Sequence, residues 1–130
     1  MMTRTILRNV LGIIMFLAGI AHFVKPALYG PMIPDGLPKD LINYGSGALE
    51  IALGLGVFVA HYRWWATLGI LLLMIVFLPV HIIDFFRDQP AIGSKTIAAI
   101  RIPMQFVLIA WAWWVHKAGV ARRVHDQDHA

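Results

Sequence analysis

Five residues able to move a proton or hold a polar ligand stand inside long apolar runs: His22, Glu50, His81, Arg101 and Gln105. An imidazole changes charge near neutral pH, and a carboxyl in apolar surroundings can take up and release a proton. His22, Glu50 and His81 are therefore candidates for catalytic proton exchange. A guanidinium presents paired donors to a carbonyl or an anion, and an amide both donates and accepts, so Arg101 and Gln105 are candidates for ligand binding. These two are four residues apart and share a helix face. Ser46, Gly47, Glu50 and Gly54 share another face, where small residues let a second helix come close. Asp84, three residues after His81, is placed to orient that imidazole.

A charge at mid-membrane costs at least about 2.5–3.5 kcal/mol. Glu50 and Arg101 are accordingly expected to pair, with Gln105 and the histidines meeting the remaining donors and acceptors. The plainer alternatives are a structural ion pair that sets helix register, and interfacial histidines that face water. His61, His116, His125 and His129 are expected to be solvated. No His-x-x-x-His or Glu-x-x-His spacing occurs among the in-span residues, and no metal site is assigned.

The setting for these residues is apolar. The 130-residue chain is 59% hydrophobic and 14% charged, against about 45–50% and 25% in soluble domains. A soluble domain this small could not hide so much apolar surface. The net charge of +4 comes from Lys and Arg scattered at helix ends rather than packed into a stripe, which argues against nucleic acid. Without cysteine, thiol chemistry and iron–sulfur ligation within the chain are excluded.

Four stretches approach the roughly 20 apolar residues that span a bilayer: about 5–24, 41–60, 64–83 and 96–116. The fold class expected is an all-α membrane protein, a four-helix transmembrane antiparallel bundle occupying 1–116, followed by a polar cytoplasmic tail at 117–130. The opening stretch also has the layout of a secretory signal peptide, but three more spans follow it. The link His61-Tyr62-Arg63 is so short that the helices on either side must be antiparallel neighbours. The segment from Lys25 to Asp40, with four prolines, is expected to cover the polar cluster, with Tyr29 and Met32 as further ligand-binding candidates.

With the N-terminus inside, six Lys/Arg fall on the inner side (Arg4, Arg8, Arg63, Lys117, Arg122, Arg123) and four on the outer (Lys25, Lys39, Arg87, Lys95). That bias puts both termini in the cytoplasm of a multi-pass cell-membrane protein. All five tryptophans then fall at the inner face as interface anchors. His22, Glu50, His81, Arg101 and Gln105 all fall in the outer half.

The stretches Gly19-Ile20-Ala21-His22-Phe23, Met32-Ile33-Pro34, Tyr44-Gly45-Ser46-Gly47-Ala48-Leu49-Glu50 and Arg101-Ile102-Pro103-Met104-Gln105, with His81, resemble the DoxX-like membrane proteins over nearly the whole chain except the tail. The resemblance implies kinship with a subunit linked to quinone-dependent sulfur oxidation, with partners of detoxifying enzymes, or with assembly factors. It transfers no catalytic assignment. The reading reached is an oxidoreductase-associated membrane subunit that binds a quinone-like or other small amphipathic molecule at the outer cluster. It would draw electrons from a redox partner protein, since the chain has no cofactor-binding motif. Two alternatives stand beside it: a non-enzymatic assembly factor or scaffold with a structural cluster, and a small transporter working as a homo-oligomer.

Overall fold

The structure, a computed structural model, describes residues 2–128. Among these, all regular structure is helical: α1 (Met2–Val24), α2 (Pro26–Tyr29), α3 (Lys39–Gly56), α4 (Arg63–Phe86) and α5 (Lys95–Asp128), with a 3₁₀ turn at Gly30–Met32. Three helices are long and apolar enough to cross a membrane: α1, α4 and the Lys95–Val120 part of α5. Leu17, Leu72, Val76, Phe106 and Val107 stand more than half exposed on them. Apolar exposure on that scale is what a lipid-facing surface has and a soluble monomer avoids. The 18-residue α3 falls outside that group. It carries Asn43, Ser46 and Glu50, and it stops at Gly56 rather than near Ala60, where successive tight turns lead into α4.

The helices form two antiparallel hairpins, α1 with α3 and α4 with α5. In the first, the backbones touch through glycine. A Cβ on Gly19 would lie 2.6 Å from the Gly47 carbonyl oxygen, and one on Gly54 would lie 2.7 Å from the Gly12 oxygen. The glycines are seven apart on both helices, so two turns separate the contacts and one register satisfies both. The two hairpins close on an apolar core that includes Leu11, Met15, Val57, Ile70, Met74 and Val115.

Two sequence expectations are corrected. Helix α5 continues through the polar segment to Asp128 instead of ending at His116. Polarity ends a membrane span but not a helix, and Lys, Ala and Arg are all good helix formers. His116 is buried, 8% exposed, and its Nδ1 lies 3.0 Å from the Thr67 hydroxyl. The Thr67 hydroxyl itself donates to the Trp64 carbonyl, so it accepts from His116, which sits on a packed face of α5. His61 and His125 are exposed as expected, and His129 lies outside the described residues.

Candidate functional site

One stripe of α3 and one of α1 build the first half of the site. Asn43, Gly47, Glu50 and Gly54 are the buried residues of α3, at intervals of four, three and four; on α1 the buried set ends Gly19, His22. The glycine contacts bring the backbones together, and His22 meets α3 directly. Asn43 donates through Nδ2 to the His22 carbonyl at 3.0 Å, and its Oδ1 lies 2.8 Å from His22 Nδ1. That oxygen can only accept, so the ring proton sits on Nδ1 and Nε2 is left facing Glu50 Oε2, 3.5 Å away. Two lone pairs at that distance cannot satisfy each other. Glu50 is 3% exposed, and its Oε2 has no hydrogen-bond partner.

The second half belongs to α4 and α5. Arg101 does not pair with Glu50. Its carboxylate partner is Asp84, from Nη1 to Oδ2 at 3.0 Å, and Asp84 is 1% exposed. The other Asp84 oxygen accepts the Ala91 backbone N–H at 2.7 Å, which pins the loop after α4. Arg101 Nη2 donates to His81 Nδ1 at 2.7 Å. A guanidinium has no acceptor, so the His81 proton is on Nε2. Asp84 thus orients His81 through Arg101 rather than by direct contact. Gln105 donates to the Met74 carbonyl at 2.7 Å and lines the same cavity as His81.

Glu50 and Arg101 stay apart because Asp84, on the adjacent helix of its own hairpin, takes the guanidinium, while Glu50 faces His22 in the other hairpin. Between the hairpins lies a cavity of about 450 Å³. His22 and Glu50 stand on one wall, and His81 and Gln105 on the other. Most of the remaining lining is apolar, Leu11, Ile14, Met15, Phe77 and Leu108 among it. Arg101 is not on the wall; it backs His81.

The segment between α1 and α3 forms the cover. Tyr29 stacks on His22 with ring centroids 3.8 Å apart, Met32 accepts from Arg101 Nη2 through sulfur at 3.4 Å, and both residues line the cavity. Arg87, just after α4, donates to the Pro31 carbonyl, so the cover is tied to the opposite hairpin. Burial, and then a carboxylate at Glu50, hold the Tyr29 phenol above its ordinary pKa, which keeps it a neutral donor.

Residues 11–116 match the family model described as Domain of unknown function (DUF8561). The chain belongs to the DUF8561 family. The matched segment holds every residue of the cavity and its cover, while Arg4 and Arg8 precede it. No curated protein and no solved structure matches this DUF8561 chain.

All seven candidates drawn from the sequence converge here: His22, Glu50, His81, Gln105, Tyr29 and Met32 on the wall, with Arg101 behind it. Sequence reasoning passed over Asn43, although it lies seven residues before Glu50 and so begins the same stripe. It also passed over Gly12, whose partner Gly54 had been marked.

Proposed function

We propose that this DUF8561 protein is a DoxX-like, redox-associated subunit of the cell membrane that binds a quinone-like or other small amphipathic molecule in the cavity between its hairpins. The observation that carries the reading is Glu50 Oε2, a buried carboxyl oxygen without a hydrogen-bond partner, on the wall of an otherwise apolar cavity. Such an oxygen needs a donor or a proton, and a ligand with an apolar body and a polar edge supplies the match. A proton taken up by Glu50 or by the free His22 Nε2 would pass to the ligand, while Asn43 keeps the other ring nitrogen protonated. His81 would present Nε2–H to a ligand carbonyl, and Arg101 would hold the ring in place. A quinone, when bound, would supply two-electron chemistry, and a partner protein must bring the electrons.

Binding of a short-chain benzoquinone to purified protein in lipid nanodiscs, measured by equilibrium dialysis, tests this. His22→Gln and Glu50→Gln are expected to weaken it by about tenfold or more, the scale of a lost charge-assisted hydrogen bond, with little loss of thermal stability. Unchanged affinity in both variants would remove the proton-handling role.

The scaffold reading has one observation in its favour. The set Asp84, Arg101, His81 and Met32 is satisfied internally, as a structural lock would be. In that case the quinone would not bind at all, and His22→Gln would be silent.

The same proposal includes a topology: α3 completes a four-helix transmembrane bundle in the bilayer, with both termini cytoplasmic. Because the chain has no cysteine, single cysteines report on sidedness without background. Asp35→Cys is expected to react with an impermeant maleimide in intact cells. His61→Cys and Ala130→Cys should react only after permeabilisation. Labelling of positions 35 and 61 from the same side would show that α3 does not cross.

A further inference from the structure

Donors and acceptors on the walls of the cavity between the hairpins are not balanced. Glu50 is 3% exposed, and no donor among the described residues reaches its Oε2. His22 holds its ring proton at Nδ1, where Asn43 Oδ1 accepts it, so Nε2 is an acceptor as well, 3.5 Å from that carboxyl oxygen. A separation of 3.5 Å is beyond a well-formed hydrogen bond, so a proton between the two atoms would serve both poorly. Asn43 is spent on His22 through both its oxygen and its nitrogen. On the opposite wall, Gln105 donates to the Met74 carbonyl and keeps its side-chain oxygen as a further acceptor. The fixed donor there is His81, whose ring proton is on Nε2. The Tyr29 and Ser46 hydroxyls, also on the lining, can serve either way.

What the Glu50 and His22 wall lacks is a donor, and a ligand has to bring it. A quinone cannot, because its oxygens only accept. It suits His81 and leaves Glu50 and His22 unmet until one of them has taken up a proton. The reduced form, a hydroquinone, carries an O–H at each of two opposite edges. Resting on the proposal that this cavity takes a quinone-like molecule, we infer that it selects the reduced, hydroxyl-bearing form over the oxidised one. One hydroxyl donates to the Glu50 and His22 pair, and the other accepts from His81 Nε2–H. Met15, Phe77 and Leu108 offer both forms the same apolar surface, so the hydroxyl hydrogen makes the difference. A site built to bond a hydroxyl rejects the analogue without it, because its own polar groups are then left unpaired. Tighter binding of the reduced form also makes the bound quinone easier to reduce, by about 30 mV for each tenfold of preference in a two-electron couple. The cavity is thereby set to receive electrons rather than to give them up.

The experiment is equilibrium dialysis of the full chain in lipid nanodiscs under argon, with three probes of one skeleton. They are a short-chain para-hydroquinone, the matching benzoquinone and the dimethyl ether, whose oxygens accept but cannot donate. The hydroquinone is expected to bind the wild type about tenfold or more tightly than either of the others. In Glu50→Gln the carboxylate gives way to a neutral amide, a weaker acceptor, and the preference should fall to within about threefold. That ratio is taken within one variant, so it does not depend on how much of the variant is folded. A hydroquinone that binds the wild type no better than the benzoquinone or the ether would overturn the inference and leave the cavity reading standing. So would a Glu50→Gln variant that keeps the full preference. If none of the three probes binds, the proposed function itself fails, and the selection of the reduced form fails with it.

Discussion

Asp84→Asn and Arg101→Leu are each expected to destabilise the protein by about 3–5 kcal/mol, the scale of a buried ion pair broken from one side. Asp84 is almost wholly enclosed, and its two oxygens hold Arg101 and the Ala91 N–H. Removing its charge leaves the guanidinium without a carboxylate in an apolar bundle, where desolvation of a lone cation dominates. Removing Arg101 strands the Asp84 carboxylate and frees the His81 ring. Combining Asp84→Asn with Arg101→Leu removes both uncompensated charges together. The double variant should therefore be clearly more stable than the sum of the single losses predicts. Unfolding in detergent, followed by helical signal, measures the cycle. Strict additivity of Asp84 and Arg101 would show that the pair does not couple. Arg101 and Glu50, which lie in different hairpins, are expected to be additive instead.

The second large effect concerns the α1–α3 contact. Gly47→Ala places a Cβ 2.6 Å from His22 Cβ and 2.9 Å from the Gly19 carbonyl oxygen, and Gly19→Ala meets backbone atoms of Gly47 and Ile51 at 2.6 and 2.8 Å. Backbone cannot step aside as a flexible side chain can, so the helices must separate. The cost is about 1–3 kcal/mol for alanine and more for leucine, only partly offset by alanine's helix propensity of up to about 1 kcal/mol over glycine. Gly45 provides the contrast, because a Cβ there meets nothing within 4 Å. Gly45→Ala should be neutral or stabilising, while Gly47→Leu should lose both folded yield and binding in the cavity, since His22 and Asn43 would be pushed apart. Comparable thermal stability for Gly45→Ala and Gly47→Leu would show that the two helices are not in close contact.

Much of this was legible before any coordinates. Long apolar runs interrupted by single ionisable residues define membrane-length helices, because lipid leaves the backbone no partner but itself. The short His61–Arg63 link and the shared depth of His22, Glu50, His81, Arg101 and Gln105 followed from the same reading. Tyr29 and Met32 were found from the proline-rich segment that carries them. Asn43 and Gly12 were within reach too, since each completes a heptad stripe with residues already marked. Their roles need the knowledge that α1 and α3 touch through glycine, which a single helix does not reveal.

What the sequence by itself determined was the helical class, the apolar spans and the set of polar residues that cannot face lipid alone. The tertiary structure decided which of those residues meet. Two carboxylates, Glu50 and Asp84, were available to Arg101, and depth along the bundle did not distinguish them well. Helix pairing distinguished them: α4 and α5 are adjacent and bring Asp84 within 3.0 Å, whereas Glu50 is turned toward His22 by the glycine contact with α1. Charge interaction in an apolar medium depends steeply on separation and geometry. Spacing along one helix fixes the face a residue occupies, but only packing between helices fixes the neighbour opposite it.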